Sequence, residues 1–134
     1  MAFIILLIFG LNFYASIAAA EGNSLVGRAI AHKHCSRCHV VGDFNKYGGI
    51  GSTPSFQVIL GMKDGLHRFE TFFQRRPHPV FVRVPGVPRW SKVPSYATEF
   101  VVSGENLGDL LAFIKTIKKK DLGGIPILGK FKQK

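Results

Sequence analysis

The chain has 134 residues, with 18 Lys and Arg against 8 Asp and Glu and a formal net charge of +10. This length is enough for one small domain with a single core and too short for two. The basic residues are spread along the chain instead of forming a nucleic-acid motif, so no nucleic-acid partner is expected.

The first twenty residues contain no charged side chain and end in small residues that suit cleavage after Ala20. This pattern is typical of a secretory signal peptide. Because no Lys or Arg precedes the apolar run, an uncleaved short membrane anchor stays open as an alternative. We therefore expect an exported protein, in the periplasm or a similar compartment, with a domain at residues 21–118 and a basic C-terminal tail at residues 119–134.

Local patterns predict a mainly α-helical domain. A helix is expected over residues 23–34 with Ser24 as its N-cap. A loop follows, because residues 42–56 contain four glycines and a proline. Two short helices interrupted around residues 61–65 come next, and the second is expected to place three apolar side chains in the core: Leu66, Phe69 and Phe73.

Five prolines between residues 77 and 94 exclude a long helix there and leave a brief extended piece near "VFVRV". The last helix is predicted to begin at an N-cap, Ser103, and to carry four apolar residues at helical spacing: Leu107, Leu110, Leu111 and Ile114. Three lysines that suit a helix C-terminus follow it: Lys118, Lys119 and Lys120.

Both cysteines lie in the stretch "CSRCH", as Cys35 and Cys38 directly before His39. The C-x-x-C-H pattern is the attachment signature of haem c. Each thiol adds to one haem vinyl group, and the adjacent imidazole meets the iron as its proximal ligand. A disulfide between the two cysteines and a zinc site are the alternatives, although the chain has no second cysteine pair for zinc.

With this motif, residues 23–118 resemble the class I c-type cytochromes, whose fold wraps short helices and long loops around one covalently bound haem. Gly27 matches the small residue at which the family's first and last helices cross. Leu110 and Phe113 match its last-helix pattern, whereas Ala31 replaces its usual first-helix aromatic. The resemblance implies that the carbonyl of Pro54 accepts a hydrogen bond from the proximal histidine.

The family's usual distal ligand, a methionine ahead of the last helix, is missing. No methionine follows Met62. Aligning "HPVF" with the family's His-Pro-x-Met places Phe81 at the ligand position, and aligning "ATEF" with its Met-Pro-x-aromatic places Ala97 there. In neither alignment does a methionine thioether stand at the ligand position.

His78 is the first candidate for the distal iron ligand, because its 39-residue separation from His39 is long enough to reach the other haem face. The alternatives are an open iron shielded by Phe81 or Trp90, ligation by Met62, and an exposed loop position for His78. Three further histidines are expected at the surface or as helix caps: His32, His34 and His67.

A second histidine ligand would keep the iron six-coordinate and lower its potential relative to methionine. The resemblance then implies an electron carrier and not an enzyme, with an acidic-surfaced redox protein or a membrane oxidoreductase complex as partner. The basic end of the chain also suits an anionic membrane surface. Two alternatives stay open: a distal site that binds small gases or reduces peroxide, and a fixed cytochrome subunit of a larger oxidoreductase complex.

Overall fold

The computed structural model describes residues 21–89, 92 and 94–123. The predicted signal peptide, Trp90 and the predicted tail from residue 124 onward lie outside the described residues. Within these described ranges, no helix is long and apolar enough to cross a membrane.

Short helices and long loops alternate along the described chain, and one small sheet joins two of the loops. The elements in chain order are α1 (Ser24–His34), α2 (Phe56–Gly61), α3 (Gly65–Glu70), two 3₁₀ turns (Phe72–Gln74 and His78–Val80), β1 (Val82–Arg83), β2 (Phe100–Val101) and α4 (Gly104–Thr116).

The two long helices begin at side-chain caps. Asn23 caps α1, because its Oδ1 accepts from the backbone N–H groups two and three residues further on, at 2.9 and 3.3 Å. The prediction of Ser24 as N-cap was therefore wrong by one residue. Ser103 caps α4 as predicted. That helix ends at Thr116, so the three lysines predicted at its C-terminus lie beyond it.

The backbones of α1 and α4 touch where the helices cross. A Cβ atom added to Gly27 would lie 1.9 Å from the carbonyl oxygen of Asp109 and 2.9 Å from the Cα of Leu110. The Asp109 carboxylate is buried and accepts a hydrogen bond from the Asn23 N–H at 2.6 Å. Only glycine fits at position 27 without separating the helices.

The core lies beside this crossing. Phe69 belongs to it, as predicted, but Leu66 is 39 % exposed and Phe73 is only half-buried. The prediction that all three share a core face failed because α3 ends at Glu70, and the turn after it has a three-residue period. The buried cluster comprises Ala31, Val41, Phe56, Phe69, Leu110, Phe113 and Ile114.

A two-stranded parallel sheet ties the proline-rich segment to the chain ahead of α4. Val82 pairs with Phe100 across this sheet. The Phe100 N–H donates to the Phe81 carbonyl at 3.0 Å, and the Val102 N–H donates to the Arg83 carbonyl at 2.8 Å. The sequence predicted the extended piece that forms β1 but not its partner strand.

The beginning of the predicted tail contacts α2. The Lys120 N–H donates to the Gln57 carbonyl at 2.9 Å. A Cβ atom added to Gly61 would lie 2.3 Å from the Lys120 carbonyl oxygen and 3.0 Å from the Leu122 side chain. Contacts with the helices therefore continue to residue 122.

Candidate functional site

The C-x-x-C-H motif forms a helical turn directly after α1. The Cys35 N–H donates to the Ala31 carbonyl at 2.9 Å, and the His39 N–H donates to the Cys35 carbonyl at 2.8 Å. Residues three and four apart lie on one side of such a turn. The turn therefore brings Cys35, Cys38 and His39 to the same side of the chain.

Both cysteines are free thiols in the structure. Burial first, and the neighbouring Cys38 second, raise the pKa of the Cys35 thiol to about 12. A redox-active C-x-x-C pair needs a thiol whose pKa is lowered, because the thiolate is the nucleophile. The shift of the Cys35 pKa is therefore opposite in direction to that of such a nucleophile.

The zinc alternative also lacks ligands. In the part of the chain that the structure describes, no group of three or more His, Cys, Asp or Glu side chains is placed to hold a metal ion. A zinc ion bound by protein alone needs three or four such donors.

Asn45 shapes the loop that follows the motif. Its Nδ2 donates to the carbonyls of Ser36 at 2.9 Å and His39 at 2.8 Å, and its Oδ1 accepts from the Val41 N–H at 2.7 Å. One side chain thus satisfies three backbone groups around the motif. Our sequence reasoning missed this residue, since its partners lie four to nine residues away and an Asn in a glycine-rich loop predicts only a turn.

His39 is held in one tautomer by the chain. Its Nδ1 lies 2.8 Å from the carbonyl oxygen of Pro54. Because a carbonyl can only accept, Nδ1 carries the proton, and Nε2 of the neutral ring keeps its lone pair. Burial lowers the pKa of His39, an effect that the bond to Pro54 opposes. The ring is therefore neutral near pH 7 and has one nitrogen available to a metal ion.

His78 has the same arrangement on a different element. It opens the second 3₁₀ turn, and its Nδ1 donates to the Arg75 carbonyl at 3.0 Å. Burial is the main cause that lowers the pKa of His78, and the hydrogen bond to the Arg75 carbonyl opposes this effect. Phe72 and Phe81 contact the His78 ring edge to face, with centroids 5.4 and 5.7 Å away.

The imidazoles of His39 and His78 lie close together with nearly parallel rings. Their ring centroids are 6.0 Å apart, and their planes differ by 10°. With a metal–nitrogen bond of about 2 Å and about 1.1 Å from a nitrogen to its ring centroid, two imidazoles on opposite sides of one metal ion have centroids about 6 Å apart. The observed separation equals that distance.

The residues present fit a single haem c. Such a group would need two thiols within one turn and an adjacent neutral imidazole, and it could take a second imidazole as a further iron ligand. Cys35 and Cys38 could hold the macrocycle, while His39 and His78 could bind the iron. Each histidine already has the backbone hydrogen bond that orients a metal-binding imidazole.

The other distal candidates in the described chain take part in different contacts. Phe81 lies against His78 and can only shield the site. Ala97 is half-buried, and its carbonyl accepts a hydrogen bond from Ser95 Oγ. Met62 forms the C-cap of α2 and takes part in the turn to α3. Trp90, the second proposed shield, lies outside the described residues.

The remaining histidines contact other side chains. His67 is exposed and lies 3.3 Å from the Glu70 carboxylate, which agrees with the expected surface position. His32 and His34 lie in the last turn of α1 but are half-buried instead of exposed. His32 stacks on Phe44 at 3.6 Å, and His34 stacks on Phe100 at 4.1 Å.

A groove of about 930 Å³ opens on another part of the surface, between α1 and the chain that follows α4. Arg28, Gln57 and Lys119 are among the residues that line it, but none of the motif residues does. The groove is therefore separate from the paired histidines.

Comparison with known proteins gives no relative: no protein family, no curated protein and no solved structure matches the chain.

Proposed function

We propose that the protein is an exported monohaem c-type cytochrome that carries single electrons between redox partners. The observation that carries this proposal is the pair of neutral imidazoles, His39 and His78, at the separation of two ligands on one iron. Bound haem c would supply a reversible one-electron iron couple. The chain's own residues would hold that group and control access to it.

Two strong axial ligands favour electron transfer over catalysis. Iron that stays six-coordinate in both redox states rearranges little on reduction and offers no position to a substrate. The Nδ1–H groups of both histidines are taken up by backbone carbonyls, which makes each ring a better donor. A histidine in place of the usual methionine also lowers the potential.

The aromatic neighbours of His78 argue against the open-site alternative. Phe72 and Phe81 both contact the ring, and its Nδ1 donates to the Arg75 carbonyl. For a gas or peroxide to reach the iron, this ring would have to leave a position held by all three contacts. We therefore rank gas binding and peroxide reduction below electron transfer.

The surface next to the motif suits an acidic-surfaced redox protein or a membrane oxidoreductase complex. The Ile50 N–H donates to the Cys38 carbonyl at 2.9 Å, which places this loop beside the attachment motif. Tyr47 is 94 % exposed and Ile50 is 51 % exposed in the same loop. Two exposed basic residues, Arg37 and Lys46, flank them. Charge of this sign would steer the protein to an acidic partner.

The test is to express the full chain together with a haem-attachment system and measure the intact mass. The proposal predicts the mass of the polypeptide plus one haem, and no covalent haem in the Cys35→Ala, Cys38→Ala double variant. A potentiometric titration of the product should then fit one reversible one-electron step. A disulfide-bonded product without haem would contradict the proposal.

A further inference from the structure

The Arg83 guanidinium forms hydrogen bonds with the 3₁₀ turn that begins at His78. Its Nη1 donates to the Pro79 carbonyl and its Nη2 donates to the Val80 carbonyl, both at 3.0 Å. The side chain is only 22 % exposed. The two residues directly after His78 are therefore bound by a single charged side chain.

The same guanidinium is fixed by a carboxylate on the opposite strand segment. The distances from Arg83 to the two oxygens of Glu99 are 2.8 Å for Nη2 and 3.3 Å for Nε. This pair spans the parallel sheet, whose backbone also ties Arg83 to the chain before α4. The planar fork of arginine spreads its donors over three nitrogens, so it can bond a carboxylate and two separate carbonyls at once, whereas lysine presents its three N–H groups from a single nitrogen.

Arg89 offers a natural comparison. It also pairs with Glu99. Within the described part of the chain, however, no hydrogen bond joins Arg89 to the turn of His78. The carboxylate is thus shared by two arginines, of which Arg83 also contacts the ligand-bearing turn.

We propose that Arg83 is a positioning residue that holds the His78 turn in place and thereby keeps the distal imidazole on the iron. The inference rests on the proposed function, in which His78 is the distal ligand. The backbone before His78 is fixed separately, since its N–H donates to the Arg75 carbonyl at 3.0 Å. Arg83 supplies the corresponding restraint on the residues after it.

The experiment compares the ferrous holoprotein of the wild type, Arg83→Lys and Arg89→Lys in stopped-flow mixing with carbon monoxide. Carbon monoxide binds only when His78 has left the iron, so the rate reports how firmly the turn is held. We expect Arg83→Lys to bind at least about tenfold faster than the wild type, because hydrogen bonds to a charged donor are lost. Arg89→Lys should stay within about twofold, because it keeps every contact to the turn.

The ferric absorption spectrum and the unfolding curve of the wild type and of both variants are measured as well. Arg83→Lys should have a larger high-spin fraction than Arg89→Lys even where the two variants unfold at the same midpoint. A general loss of stability would not change the spin state at an equal midpoint. Equal carbon monoxide rates in the two variants, with a low-spin wild type, would overturn the role of Arg83 and leave the proposed function intact. A high-spin wild type that binds carbon monoxide at once would overturn both.

If Arg83→Lys yields no holoprotein, Glu99→Gln decides the question. This change weakens the anchor of the guanidinium and leaves its two carbonyl contacts in place. We expect a faster carbon monoxide rate than in Arg89→Lys. A rate equal to that of the wild type would overturn the inference.

Discussion

Replacing Gly27 by alanine should separate α1 from α4 and destabilise the whole domain. The added Cβ would lie 1.9 Å from the Asp109 carbonyl oxygen and 2.4 Å from its carbon. Relieving these contacts requires the two helix backbones to move apart by roughly 1 Å, and overpacking of this kind costs about 1–3 kcal/mol. Buried side chains at the crossing, such as Ala31 and Ile114, would lose contacts as well.

Gly108→Ala is the matched control, since a Cβ added at this position of α4 meets nothing within 4 Å. Alanine is favoured over glycine inside a helix by about 1 kcal/mol, so this variant should be slightly more stable than the wild type. Thermal unfolding of the holoproteins, followed by circular dichroism at 222 nm, should show a midpoint for Gly27→Ala roughly 10 °C below the wild type. A Gly27→Ala midpoint at or above that of the wild type would refute the close crossing.

Three further predictions concern the site and its supports. Asn45→Ala removes three hydrogen bonds around the motif and should lower the free energy of unfolding by about 3 kcal/mol, measured by guanidinium titration against Asn106→Ala. Asp109→Ala leaves the Asn23 N–H without its partner and should cost about 1–3 kcal/mol in the same titration. Hydrogen bonding from Arg83 lowers the pKa of Glu99 from its ordinary 4.5, so the stability from this pair is present above that pH and lost as the pH falls through the lowered value. In Glu99→Gln the unfolding midpoint should therefore fall less steeply than in the wild type as the pH is lowered. The same fall in both proteins would contradict the pairing.

The sequence predicts the features that depend on residues close together along the chain. Period, caps and prolines placed α1, α4 and the break between α2 and α3 within a few residues. The five-residue motif follows α1 as a helical turn, and this turn alone brings Cys35, Cys38 and His39 to one side of the chain. The expected bond from His39 to Pro54 is present in the structure, 15 residues along the chain.

The features that were missed depend on contacts between distant segments. Arg83 and Glu99 are 16 residues apart, and β2 has no pattern of its own that distinguishes it from loop. Asn45 donates to backbone carbonyls, which every residue has, so the sequence does not show which residues are its partners. The sequence predicts His78 as a distal ligand only from its separation from His39 along the chain and from the proline-rich loop around it. The path of that loop depends on the Arg83 contacts and on the small sheet, which the sequence does not predict.

The most direct test of the paired-histidine site is the absorption spectrum of the holoprotein, ferric and ferrous, with and without carbon monoxide, for the wild type, His78→Ala and His67→Ala. His67 is the matched control, because it is exposed and pairs with Glu70. We expect low-spin spectra in the wild type and His67→Ala, which bind carbon monoxide only as slowly as His78 leaves the iron, and a high-spin protein that binds carbon monoxide on mixing in His78→Ala. A wild type that is already high-spin and binds carbon monoxide on mixing, or a His78→Ala variant that stays low-spin, would contradict the paired-histidine site.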